Sequence, residues 1–105
     1  MIDKKTTHRK DITVSFEKDD IYLDITYDCV FTVTSSESQP GLVDRKVEWD
    51  RITPIHVMYA YDDGDYEDEI VWTYGETMPD KITNALETFS SIILGKLADS
   101  IEGIR

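Results

Sequence analysis

The sequence is short of nearly every residue type that carries chemistry. It has one cysteine and two histidines. One cysteine cannot close an intramolecular disulfide, and no His/Cys cluster has the spacing of a zinc site. No apolar run approaches the ~20 residues that a membrane-spanning helix needs, and no apolar segment follows the basic residues of the N-terminus as it would in a signal peptide. Glycine-rich phosphate loops are absent. Bases are scarce, with 11 Lys and Arg against 22 Asp and Glu and a formal net charge of -11. An anionic body repels DNA, RNA and anionic lipid and attracts basic protein surfaces.

Catalysis by a nucleophile requires a positioned base beside it. His8 lies in a basic N-terminal stretch, and His56 has the strand parity of a solvent-facing residue. Neither has a Ser or Cys context, and Cys29 points toward the core. No catalytic residue, metal ligand or cofactor is therefore expected, and the chain is read as a non-enzyme. Asp62, Asp63, Gly64 and Asp65 do not have the spacing of an EF-hand loop.

What the chain does have is alternation. From Ile21 to Thr34 the odd positions carry Ile21, Leu23, Ile25, Tyr27, Cys29, Phe31 and Val33, while the even ones are mainly hydroxyls and carboxylates. Successive strand side chains point to opposite faces, so this is a long antiparallel strand with one face in a core. Ile12, Val14 and Phe16 make a shorter strand before it, joined by a Lys18–Asp20 turn. Residues 35–42 read as a loop. Val43, Val47 and Trp49 begin a third strand that resumes after Pro54 at Ile55, Val57, Tyr59 and Tyr61, as one bent strand or two collinear ones. Asp62–Asp65 is a turn, and Ile70, Trp72 and Tyr74 return from it. The period then changes. Ile82, Leu86, Phe89, Ile93, Leu97, Ile101 and Ile104 form one helical stripe, with Thr77 as N-cap, Pro79 and Asp80 in the first turn, Gly95 as a close-packing point and Gly103 as the stop.

The expected fold is α+β: a four-stranded antiparallel β-meander (ββββα) with one long C-terminal amphipathic helix packed on one face. Residues 1–10 are expected to be a flexible basic arm, holding Lys4, Lys5, Arg9 and Lys10, and residues 11–105 a single domain.

Function is inferred from charge. Asp62, Asp63, Asp65, Glu67, Asp68 and Glu69 have no base among them, and Tyr66 lies in the same run. Asp24 and Asp28, and Glu48 and Asp50, fall on the solvent face of their strands. Alternate strand residues are about 6.6–7 Å apart, similar to the phosphate repeat of one DNA strand. These eleven residues are the candidate partner-binding set. They point to a small acidic inhibitor of nucleic-acid-mimic type, which binds a basic nucleic-acid-handling protein in the cytoplasm. Virus-encoded anti-defence factors are of this type. The alternatives are a structural or assembly protein that self-associates through sheet edges and the basic arm, and an immunity-type toxin inhibitor. Direct nucleic-acid or membrane binding is not expected.

Overall fold

The computed structural model describes residues 2–101, in the order β1 (Ile2–Lys18), β2 (Ile21–Gln39), β3 (Leu42–Asp62), β4 (Glu67–Thr73), α1 (Asp80–Thr88) and α2 (Ser90–Ile101). The four strands form one antiparallel sheet in chain order, so β1 and β4 are its edges. The fold is α+β. The expected stop at Gly103 and the last apolar position, Ile104, lie outside the described residues. No described helix is long and apolar enough to cross a membrane.

The strands run longer than alternation alone marks out. Residues 2–10, expected as a loose arm, form the first half of β1 and pair with β2 from Ile2↔Glu37 to Lys10↔Cys29. Their sequence is polar, but the unbroken apolar alternation of β2 offers them a continuous template. Likewise Ser35–Gln39 extends β2 rather than forming a loop, and only Pro40 and Gly41 turn the chain, Gly41 with φ +86°. Asp19 and Asp20 make a two-residue hairpin with φ 54° and 65°. Both central positions of such a turn require positive φ, which Asp tolerates better than most residues.

β3 is one strand whose pairing with β2 shifts register three times, once at Ser38 of β2 and twice through an extra residue in β3. Thr26 faces His56 while Tyr27 faces Pro54, which leaves Ile55 as an extra residue; Val30 faces Arg51 while Phe31 faces Trp49, which leaves Asp50 as another. Each extra residue flips the side-chain parity, so the two together restore it. Val47 and Trp49, then Ile52 and Pro54, then Val57 and Tyr59 thus share the face of the odd residues of β2. Ile55 is the bulged residue and not part of the alternation to which its odd number assigns it. Pro54 is tolerated because β4 ends at Thr73, opposite His56, so β3 has no neighbouring strand on its β4 side there.

The inner face of the sheet carries the core. Leu23, Ile25, Cys29, Phe31 and Val57 are fully buried with Ile82, Leu97 and Ile101 from the helices. The expected single helix is broken at Phe89 (φ -102°, ψ 18°). The buried residues Ala85, Phe89, Ile93, Leu97 and Ile101 recur every four positions. That spacing drifts about 40° per step around a helix of ~3.6 residues per turn, and the break re-aims the stripe. Phe89 meets Phe16 edge-on at 5.7 Å. Pro79, not Thr77, is the N-cap of α1, and its carbonyl accepts from the Ile82 and Thr83 N–H groups. A Cβ on Gly95 would meet nothing within 4 Å, so this glycine is not a close-packing point.

The molecule measures 62 × 28 × 17 Å. Residues 80–101 supply about 33 Å of helix at ~1.5 Å per residue, so the helices cover only part of the sheet's length. They lie beneath Val14, Ile21, Tyr27, Ile52 and Tyr59. The far end is held by a cross-strand aromatic row in which His8 stacks on Phe31 at 5.3 Å and Phe31 meets Trp49 at 5.5 Å.

Candidate functional site: an acidic end of the sheet

The β1–β2 and β3–β4 turns lie at the same end of the sheet and are tied together. The Asp62 N–H donates to the Asp20 carbonyl at 3.0 Å. Asp19 and Asp20 therefore join the 62–69 cluster, an addition that sequence separation concealed. The only hint in the sequence was that both acidic pairs occupy turns of an expected meander.

Within the β3–β4 turn the carboxylates have different jobs. Asp63 Oδ1 accepts the backbone N–H groups of Asp65 (2.9 Å) and Tyr66 (2.7 Å), and its Oδ2 accepts the Tyr61 hydroxyl (3.0 Å). These donors favour the ionised form and hold the Asp63 pKa below the ordinary carboxylate value, the backbone of Tyr66 contributing most. The same contact raises the Tyr61 pKa, first through its hydrogen bond to Asp63. Asp62 Oδ1 accepts from the Gly64 N–H at 2.9 Å, where Gly64 takes φ +92°. Asp63 thus builds the loop. Asp65 and Glu67 project from it, exposed, beside Tyr66.

Pairing sorts the remaining candidates by face. Asp62 faces Glu67, Ala60 faces Glu69, and Asp24 faces Met58. All lie on the outer face, which no described helix covers, and Glu17 opposite Tyr22 joins them. Among the described residues none of Glu17, Asp19, Asp20, Asp24, Asp62, Asp65, Glu67 or Glu69 makes an ion pair. Tyr22, Met58 and Val71 are interleaved on the same face; Val71 is 53% exposed.

Asp68 falls on the other face and pairs with Lys81 at 2.5 Å, which raises the lysine pKa. Asp28 is held by Arg9, at 3.1 and 2.8 Å, with Arg51 at 3.7 Å. Hydrogen bonding from Arg9 lowers the Asp28 pKa. Glu48 pairs with Lys46 at 3.2 Å, and Asp50, in its bulge, accepts the Thr32 hydroxyl at 2.7 Å. These three lie around the middle of the sheet, near Arg9, Arg51 and Lys46. Along the outer face Asp28 and Glu48 are therefore paired with bases, whereas Asp11, Asp44 and Asp50 and the acids of the turn end make no ion pair among the described residues.

Among the described residues no group of three or more His, Cys, Asp or Glu side chains is placed to hold a metal ion. His56 lies exposed on the outer face, with Nδ1 at 3.4 Å from the Thr73 hydroxyl. Cys29 is fully buried, and burial pushes its thiol pKa up to about 11. Comparison with family models, with curated proteins and with solved structures finds no match to this chain.

Proposed function

We propose that this chain is a non-enzymatic binding protein whose acidic end enters the basic cleft of a nucleic-acid-handling protein and blocks it. The observation that carries this reading is the gathering of unpaired carboxylates from two tied turns and the adjoining outer face. Carboxylates at alternate positions of neighbouring strands repeat at about 7 Å along a strand and ~5 Å across it, a density that suits a surface built to grip phosphates. Tyr22, Tyr66, Met58 and Val71 supply the apolar contact area that charge alone lacks. Asp28 and Glu48 take no part, because bases within the molecule meet their charge, and Asp50 lies away from the acidic end with its carboxylate bonded to the Thr32 hydroxyl.

The test is capture from a lysate on the immobilised chain, with elution by salt and identification of what elutes. The captured protein should bind nucleic acid, lose the chain on addition of duplex DNA, and bind at least tenfold more weakly at 200 mM than at 50 mM salt. The variant Asp62→Lys/Glu67→Lys/Glu69→Lys should not capture it, whereas Asp28→Asn/Glu48→Gln should. Salt-indifferent binding, or capture unaffected by the charge reversal, overturns the reading.

A further inference from the structure

The two edges of the sheet carry opposite charge. β1 presents Lys4, Lys5, Arg9 and Lys10, all exposed, along its N-terminal half. β4 presents Glu67, Asp68 and Glu69. An edge strand has a row of backbone N–H and C=O groups with no strand beside it, a template for another chain. Lysines on an edge ordinarily keep like edges apart, so β1 repels the β1 of a second copy, and β4 repels another β4 for the same reason. Neither repels the other. From this we propose that copies of the chain associate head to tail, with the β4 edge of one adding to the N-terminal half of β1 of the next.

Sheet geometry fixes the register. The sheet order makes β1 and β4 antiparallel, so a second copy in the same orientation extends the sheet with antiparallel pairing. For the inner faces to stay on one side, inner residues of β4 (Asp68, Ile70, Trp72) must oppose inner residues of β1 (Lys10, His8, Thr6). One register that satisfies this sets Asp68 against Lys10 and Glu69 against Arg9 of the second copy, with Ile70 against His8. Two opposite-charge cross-strand pairs then fall on adjacent residues, one on each face, flanked by the like-charge pair of Glu67 and Asp11; Asp68 and Arg9 each add this contact to the partner they already hold, Lys81 and Asp28. In the first copy Ile70 is level with Tyr59, Leu23 and Phe16. Placing His8 of the next copy there displaces it by eight residues, about 26 Å at ~3.3 Å per residue. The contact is heterologous and leaves a free edge of each kind at the two ends, so it propagates as a staircase. Backbone pairing supplies affinity, and charge selects which edge meets which.

Sedimentation velocity of the full chain across a concentration series at 50 mM salt tests this. The wild type should form oligomers that grow with concentration and weaken at least tenfold at 500 mM salt. Lys10→Glu and Glu69→Lys, each confirmed folded by circular dichroism, should each be monomeric. Mixed in equal amounts, they should give a 1:1 dimer and nothing larger, because one productive edge of each kind remains. Independently of any variant, amide hydrogen exchange of the wild type should slow with concentration in residues 4–10 and 67–73 and not in residues 42–53. A wild type that stays monomeric at 50 mM salt, variants that assemble as the wild type does, or protection confined to other strands overturns the proposal. A closed dimer with protection at β1 alone would do so too.

Discussion

Asp63 and Cys29 show how differently two side chains can be constrained by the same sheet. The Asp63 carboxylate has three donors in the folded state, which hold its pKa below the ordinary 3.8. Its stabilising contribution is therefore present above that value and is lost as pH falls through the lower folded-state value. Asp28 has the same sign for a different reason, its Arg9 partner. Urea unfolding followed from about pH 5 to about pH 2 should show wild-type stability falling more steeply than that of Asp63→Asn, which keeps an acceptor but no titrating charge. Parallel curves would mean that the turn does not depend on ionised Asp63. For Cys29 the shift is upward, from 9.0 to about 11, and comes first from burial. At pH 8 the thiolate fraction is then about 100-fold below that of an ordinary thiol. An exposed-thiol reagent should modify the native protein at least that much more slowly than the urea-unfolded chain; comparable rates would place Cys29 at the surface. The inward position of Cys29 was legible in the alternation of β2. The role of Asp63 was not, because an aspartate that caps its own loop is set apart from its neighbours only by where the backbone N–H groups point.

The helical stripe illustrates what periodicity can and cannot specify. Spacing identified Ile82, Phe89, Ile93, Leu97 and Ile101 as buried, and they are. It did not reveal the break at Phe89, which follows from keeping a four-residue repeat against one sheet. Phe89 is both the hinge of the stripe and the partner of Phe16, so Phe89→Ala should cost about 3–5 kcal/mol in urea unfolding, and Phe89→Leu much less. A loss under about 1 kcal/mol for the alanine variant would mean that the α1–α2 junction is not packed on the sheet. In β3 the odd-numbered apolar residues on either side of Pro54, apart from the bulged Ile55, gave the correct face for both halves. The alternation broke between them because Asp50 and Ile55 are each an extra residue, and two one-residue shifts cancel. Parity counted along a sequence cannot see an even number of bulges. Their positions are set by the pairing with β2.

The whole molecule is extended. Its Cα radius of gyration is 17.4 Å, where a compact chain of this length would have about 13 Å. Small-angle X-ray scattering at high salt, where edge charges are screened, should give an elongated particle near the larger value; a value near 13 Å would mean that the long strands fold back on the body. Elongation also decides what the charge can do. Asp28 and Glu48 pair with bases near the middle of the sheet, and a group of carboxylates without ion pairs is gathered at the turn end. The sequence by itself determined the α+β class, the face of each strand that enters the core, the excess of acid and the scarcity of catalytic groups, since all of these follow from composition and from periods of two and about four residues. Only the tertiary structure decided that residues 2–10 are strand, that Asp19 and Asp20 join Asp62 and Asp65, and that Asp28 and Glu48 are neutralised. Those outcomes depend on which residues stand opposite one another across strands far apart in the chain, and that register is set by the pairing of the whole sheet.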